Sequence, residues 1–313
     1  MRILVAGGAG FIGRHLVRAL VERGHDVDVI DDLSSGSIDE LDDVPGTFFE
    51  LNVADTRRVE RVPTARGYDV VVHLASPASP VDYAARPLDT LAANSIGTWN
   101  LLDLAQGVGA RFVYASSSEV YGDPLVHPQP EHYWGNVDPI GPRSQYDEGK
   151  RFGEALATSY RRVHAIPTAI VRLFNVYGPG MRLDDGRAIP SFIASALAGA
   201  PFRIYGDGAQ TRSFAYVADV VEALILVVED ERPNLVLNVG NPHEITIREL
   251  VYMIATLADV PLTIEYDHDG RPGDPQRRKP DIGAMIALYG WQPRTPLDTG
   301  LKATIAAAKG EAK

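Results

Sequence analysis

The sequence predicts an α/β fold, a Rossmann-type doubly wound parallel sheet with a smaller, discontinuous C-terminal substrate-binding lobe. Three observations point to it. An apolar run beginning at the second residue leads directly into a glycine-rich turn and an amphipathic helix. Strand and helix patterns then alternate through the first half of the chain. After residue 174 the pattern becomes irregular and richer in glycine and proline. Alternation of this kind favours parallel strands joined by crossover helices.

The first unit carries the strongest signal. Arg2-Ile3-Leu4-Val5-Ala6 reads as a strand and is followed by Gly7-Gly8-Ala9-Gly10-Phe11-Ile12-Gly13. Residues 11–23 are apolar at helical spacing and stop at Gly24, and 26–31 read as a second strand. Strand, glycine turn, helix and strand in this order open a dinucleotide-binding unit. Gly7 allows the tight turn, Gly10 lets the backbone approach a pyrophosphate, and Gly13 lets the helix pack close to the sheet. The pyrophosphate is expected on the helix start at Phe11 and Ile12, where N–H groups and the helix dipole favour anions. Asp31, ending the second strand, suits the ribose hydroxyls and repels a 2′-phosphate, so NAD is expected rather than NADP.

Further strands are expected at 47–51, 69–74, 111–116 and 168–173, with helices at 55–62, 88–108 and 145–164. Asp69-Val70-Val71-Val72-His73-Leu74-Ala75 is continuous enough for a central parallel strand. Helices near 188–199, 217–229 and 246–258 follow, separated by loops and short strands. The expected division is 1–173 with 213–240 for the nucleotide-binding domain, and 174–212 with 241–313 for the second lobe. The polar, Gly/Pro-rich loop 268–275 precedes Arg277-Arg278-Lys279 and is a candidate binding segment.

Composition narrows the function. The 313 residues are 45% hydrophobic and carry a net charge of -11 with no Lys/Arg block, which argues against nucleic acid. There is no cysteine, so disulfides and thiolate chemistry are excluded, and the expected compartment is the cytoplasm. No apolar run reaches the roughly 20 residues of a membrane span. No signal peptide is visible and the eight histidines lack ligand spacing, so neither membrane nor metal is expected.

The chemistry concentrates between residues 115 and 151. Tyr146 and Lys150 stand four apart at the head of a helix and share one face. Ser144 with Asp147 resembles a capping box. A phenol titrates near ~10, and bringing it near neutrality takes roughly 4 kcal/mol, which two close cations in a shielded site can supply. Lys150 and an oxidised nicotinamide are those cations, making Tyr146 a candidate base for alcohol oxidation. Ser116-Ser117-Ser118-Glu119 follows the fifth strand, at the sheet edge where ligands bind.

Together these residues resemble the extended short-chain dehydrogenase/reductase family over nearly the whole chain. The closest likeness is to the UDP-glucuronate decarboxylases, or UDP-xylose synthases. It rests on His73-Leu74-Ala75-Ser76-Pro77-Ala78-Ser79-Pro80, Ser118-Glu119-Val120-Tyr121-Gly122-Asp123-Pro124 and Tyr133-Trp134 through Arg143. It continues through Tyr146 to Arg151, Gln210-Thr211-Arg212 and Arg277-Arg278-Lys279-Pro280-Asp281. The resemblance implies a cycle in one pocket. Tyr146 and NAD oxidise the sugar at C4 while Ser117 holds the oxygen; the 4-ketone lets C6 leave as carbon dioxide, and protonation at C5 and returned hydride give UDP-xylose. Ser118 and Glu119 are implied near C5 and the carboxylate, where repulsion from Glu119 would be relieved by decarboxylation. Related 4,6-dehydratases carry Asp at the place of Ser118, and simple 4-epimerases usually lack the carboxylate of Glu119. A 4-epimerase, a 4,6-dehydratase and a non-catalytic NAD-sensing protein are the alternatives.

The resemblance also implies Asp32, Ser35, Gly36, Asn52, Val53, Leu74, Ala75, Ser76 and Asn94 around the cofactor. It implies Pro80, Tyr83, Asn175, Arg187, Tyr205, Gln210, Arg212 and Arg278 around a UDP-sugar, with Arg278 also a catalytic residue near the reacting carboxylate or the diphosphate and forked guanidinium groups suited to both. Asp89 stands where relatives carry a Lys, so another cation must meet the substrate carboxylate if that Lys does so. Asp32 and Ser34 stand where Asn and an aromatic are common. The membrane anchor of eukaryotic relatives is absent, which points to a soluble bacterial form, and a homodimer through helices 88–108 and 145–164 in a four-helix bundle is implied.

Overall fold

The computed structural model describes residues 1–65, 67–232, 234–268 and 273–311. Among them, seven parallel strands form the main sheet: β1 (Arg2–Ala6), β2 (Asp26–Asp31), β3 (Phe48–Glu50), β4 (Val70–His73), β5 (Arg111–Ser117), β6 (Thr168–Leu173) and β11 (Leu235–Val239). Their order is β11-β6-β5-β4-β1-β2-β3. The chain runs outward from β1 to β3, then restarts at β4 beside β1 and runs the other way. This reversal opens a crevice past the carboxyl ends of β1 and β4.

Helix α1 (Phe11–Glu22) buries Gly13, Leu16, Val17 and Leu20, the i, i+3, i+4 stripe that holds it on the sheet. The expected helix 55–62 is a single turn, α2 (Thr56–Val59), capped by Asp55. After α3 (Pro80–Ala85), α4 (Pro87–Ala92) continues through a π-helical segment, Ala93–Gly97, into α5 (Thr98–Val108). The π turn rotates Asn94 fully inward, where its Nδ2 donates to Ser76 Oγ at 2.8 Å and to Thr90 O at 2.9 Å. Helix α6 spans Ser144–His164 and α8 spans Val217–Glu229.

The second lobe is built from β7 (Val176–Tyr177), α7 (Ala188–Ala198), β8 (Phe202–Tyr205), β9 (Thr211–Ser213) and β10 (Ala215–Tyr216). It continues with β12 (Glu244–Thr246), α9 (Ile247–Ala258), β13 (Ile264–Asp267), β14 (Arg277–Arg278) and α11 (Leu297–Glu311). Phe192, Ile193, Phe202, Ile204, Leu250, Ile254 and Leu301 form its core. Strand β9 pairs antiparallel with β12 and parallel with β14, so Arg212 lies opposite Arg278. Between β14 and α11 lies α10 (Gly283–Tyr289). Although 241–313 is expected to form part of the second lobe, Ile282, Met285 and Trp291 pack into the core of the main sheet.

Close packing of α6 on the sheet fixes the site. Gly149, Gly153 and Ala157 line its inner face at a four-residue interval. A Cβ on Gly153 would stand 2.2 Å from the Tyr114 hydroxyl, and one on Gly149 would stand 3.2 Å from Asn94 Cβ. With no side chain in the way, Lys150 Nζ reaches the carbonyl of Ala115 at 2.8 Å. Gly153→Ala must push α6 or Tyr114 outward, so it is expected to cost about 1–3 kcal/mol in urea unfolding despite the better helix propensity of alanine. Equal or greater stability of the variant would show that α6 tolerates a larger separation.

Candidate active site

A cleft of about 600 Å³ runs along the carboxyl ends of β1, β4, β5 and β6 and is closed on its far side by the second lobe. Its wall includes Gly7, Gly10, Phe11, Ile12, Gly13, Ser35, Gly36, Leu74 and Ser76 at one end. Ser117, Ser118, Glu119, Tyr146 and Lys150 lie in the wall, as do Pro80, Tyr83, Asn175, Arg187, Tyr205, Gln210, Arg212 and Arg278.

The glycine turn has the shape of a phosphate cradle. Gly7 has φ +83, and a Cβ on Gly13 would stand 2.0 Å from Gly7 O. No side chain caps α1, and its first turn carries no acidic residue. Asp31 sits behind the turn, with Oδ2 accepting from Ala9 N at 3.0 Å and Oδ1 from Leu33 N at 2.9 Å. Burial pushes its carboxyl up, against these amide hydrogen bonds. Besides Asp31, five residues expected at the cofactor lie outside the cleft wall. Asp32 accepts from Asn52 Nδ2 at 2.8 Å, the carbonyl of Val53 accepts from Asn100, Ala75 backs onto Gly7, and Asn94 orients Ser76. Val53 and Asn94 are buried behind the wall, whereas Asp32 and Asn52 pair at an exposed position, and motif spacing alone does not distinguish either placement from contact.

The Tyr146/Lys150 pair is buried, and this departs from the simple expectation of a phenol lowered by its lysine. Burial pushes the Tyr146 phenol up to about 12, against the pull of Arg187 and a hydrogen bond with Ser117. Burial lowers Lys150 to about 7, with Glu154 opposing. Desolvation disfavours both charged forms, so the chain alone does not create a phenolate; a further positive charge must be brought in with the cofactor. The phenol is held by stacking on Tyr83, ring centroids 5.3 Å apart. The expected capping box at the head of α6 does not form. Ser144 is already the first helical residue, Arg143 precedes it, and no side chain caps the helix. Asp147 is buried and turned inward instead, facing Glu119, Arg143 and Arg278.

Glu119 is paired on both of its oxygens. Its Oε1 pairs with Arg278 Nη1 and its Oε2 lies 2.6 Å from Arg143 Nη2. Burial would push Glu119 up, but Arg278, Arg143 and Arg212 overcome it and hold the carboxyl well below its usual range. Arg212 in turn pairs with Asp274 at 2.8 Å. Residues 269–272 of the expected binding loop lie outside the described residues, while Asp274 lies in the cleft wall. By sequence, Asp147 is only a helix cap, Arg143 only the end of a motif and Asp274 only part of a loop; the position of Arg143 three residues before Tyr146, at the helix start, is the available signal for its place in the site. Around the outer cleft, Arg187 donates to Ala78 O at 2.6 Å, Asn175 to Ser213 O at 3.1 Å and Gln210 to Tyr205 O at 2.7 Å. Asp89 is exposed on α4 and is not part of the wall.

The depressed Lys150 makes stability depend on pH. From its ordinary 10.5 down to about 7, the unfolded chain holds a proton that the folded chain lacks. Stability therefore falls as pH drops through that window and is level below it. Lys150→Met removes this dependence, so the Tm difference, variant minus wild type, is expected to rise as pH is lowered from 10.5 to about 7. A difference constant across that range in calorimetry would contradict the depressed amine.

The profile of the NAD dependent epimerase/dehydratase family matches residues 3–240. Over 302 residues the chain is 47% identical to UDP-glucuronic acid decarboxylase 1 of Arabidopsis thaliana, covering 96% of this chain and 68% of that protein. UDP-glucose 4-epimerase of Thermotoga maritima, solved with UDP-glucose, superposes with a TM-score of 0.93 at 30% identity, over 100% of both chains. The Thermus thermophilus UDP-glucose 4-epimerase complex with NAD gives a TM-score of 0.86 at 30% identity, over 99% of both chains. The strand order, the glycine cradle and the buried Tyr146/Lys150 pair thus have the company expected of them, and the chain belongs to the NAD dependent epimerase/dehydratase family.

Proposed function

We propose that this chain decarboxylates UDP-glucuronate to UDP-xylose through a 4-keto sugar, regenerating NAD in each cycle. The observation that carries the proposal is the carboxylate–guanidinium cluster of Glu119, Arg143 and Arg278 in the same cleft as an alcohol-oxidising pair. Sequence identity to curated decarboxylases supports the same reading. The Gly7–Gly13 cradle with Asp31 behind it fits NAD, which supplies the hydride acceptor and donor for C4.

The chain's residues divide the remaining work. Tyr146 takes the proton from O4 and returns it when the sugar is reduced, with Ser117 hydrogen-bonded to the phenol. Lys150, anchored to the carbonyl of Ala115, holds a positive or readily protonated group beside the aromatic rings of Tyr114 and Tyr146. The 4-ketone places the C6 carboxylate β to a carbonyl, so the carbon–carbon bond can break with its electrons delocalised into an enolate. Glu119 is held below its usual range by its arginines, which favours its carboxylate over its acid form in the substrate-free site. Ser118 offers only a hydroxyl where water elimination would need an acid. Arg187 and Tyr205 line the part of the cleft left for the nucleotide.

A homodimer is part of the proposal. Leu88, Leu91, Ile96 and Trp99 are exposed along residues 88–99, and Phe152 and Val163 are exposed on α6, which packs beside them. Paired across a two-fold axis, these helices would bury that surface as a four-helix bundle. Trp99→Glu with Phe152→Glu is expected to shift the light-scattering mass to that of a monomer. A wild-type protein already monomeric would remove the dimer from the proposal.

Incubation with UDP-glucuronate and no added reductant is expected to release carbon dioxide and UDP-xylose, read by mass spectrometry and NMR. Recovery of UDP-galacturonate alone would replace decarboxylation with 4-epimerisation. Tyr146→Phe is expected to bind NAD and the UDP-sugar yet turn over about 10²–10⁴-fold more slowly, the usual worth of a proton-transfer group. Near wild-type turnover would remove Tyr146 from the mechanism.

A further inference from the structure

Three guanidinium groups converge on the inner end of the cleft, and they are not held alike. Arg278 is 2% exposed, with Nη1 on Glu119 and Nη2 donating to Gly122 O at 2.8 Å. Arg212 is tied to Asp274 at 2.8 Å and to the carbonyl of Thr211 at 2.8 Å. Arg143 has one short partner, Glu119 Oε2 at 2.6 Å, and a longer one, Asp274 at 3.5 Å. Its Nε, like that of Arg278, is buried without a hydrogen-bond partner. Its guanidinium lies 6.0 Å from the centroid of Tyr83, the ring stacked on Tyr146. Arg143 is thus the least firmly held of the three guanidinium groups, and it is not needed to keep Glu119 paired.

The charges around it are matched in number but not in pairing. The three arginines face Glu119, Asp274 and Asp147. Burial and the proximity of Glu119 push Asp147 up toward its neutral form, against Arg143 and Arg278. Its Oδ1 is buried with no hydrogen-bond partner. Arg143, removed from water and with one short partner, offers an entering anion a guanidinium to pair with. A carboxylate suits it better than a hydroxymethyl group, because it can take two parallel N–H donors.

We propose that Arg143 is the specificity-determining residue that reads the carboxylate of the sugar, exchanging Glu119 for the substrate; this deepens, and rests on, the reading of the substrate as a UDP-uronate. Arg278 keeps Glu119 neutralised during the exchange. Once the carboxylate has left as carbon dioxide, Arg143 returns to Glu119 and the product loses its charged contact. The same residue therefore selects an acidic sugar and weakens the hold on the neutral pentose.

Equilibrium binding to the NAD-loaded protein tests this, in a Tyr146→Phe background that blocks turnover. The background protein is expected to bind UDP-glucuronate more tightly than UDP-xylose in calorimetry. Adding Arg143→Gln is expected to weaken UDP-glucuronate by about tenfold or more, the scale of a charged hydrogen-bond pair, and UDP-xylose by less than about twofold. Arg143→Lys, which keeps the charge and loses the fork, is expected to fall between. Equal weakening of both ligands, or of neither, in both variants overturns the assignment. The two readings fail separately. A wild-type protein that releases no carbon dioxide from UDP-glucuronate overturns the proposed function, whereas active wild type with an unchanged ligand preference in Arg143→Gln overturns only the role of Arg143.

Discussion

The site depends on how closely α6 approaches β5. A lysine amine hydrogen-bonds a strand carbonyl at 2.8 Å only because the helix face beneath it is Gly149, Gly153 and Ala157. That contact seats Lys150 at full burial and aims Tyr146, one turn earlier, across the ends of β5 and β6. The second lobe then needs only to close over a pair already placed. The arrangement carries a cost, since a cation is desolvated beside His73, whose own ring is held neutral by burial and by Lys150. Part of the packing energy of the core is thus spent on holding an uncomfortable charge where the chemistry needs it.

The same helix links oxidation to charge recognition. Arg143 stands just before its first turn, and Tyr146, Asp147 and Lys150 occupy its first two turns. Across from them, Glu119 comes from the turn after β5, and Arg212 and Arg278 from β9 and β14 of the second lobe. The lobes therefore meet as an electrostatic joint, closed by Arg278 on Glu119 and on the carbonyl of Gly122. The cleft is assembled by ion pairs between distant stretches of chain, while its floor is assembled by local strand and helix geometry.

This division explains what could be read from the sequence. The β1–α1–β2 unit was legible because each boundary carries its own signal, in the glycines, the apolar stripe and Asp31. The Val70–Val72 run and the apolar helix at 217–229 were equally plain. Strand β11 was missed as a strand, since five residues following a helix carry no periodicity of their own. The pairing of Thr211–Ser213 with Arg277–Arg278 was not visible either, because such short strands exist only through partners far along the chain. The capping box failed for a related reason: Asp147 is drawn inward by Arg143 and Arg278 instead of turning back on the helix end. Tyr146 and Lys150 were found by spacing, whereas the effect of burial on both required the surrounding core.

The Asp31 carboxylate has one more consequence. Its two oxygens already clasp the amides of Ala9 and Leu33, so the loops on either side of the nucleotide groove are fixed without help from a ligand. A groove shaped in advance loses little conformational freedom when filled, and what it holds departs slowly. Slow departure is of particular use to a catalyst that borrows two electrons from its substrate and must hand them back to the same molecule. An enzyme whose reduced carrier escaped midway would release a ketone and stall, so the stiffness of this small turn safeguards the closing of the cycle.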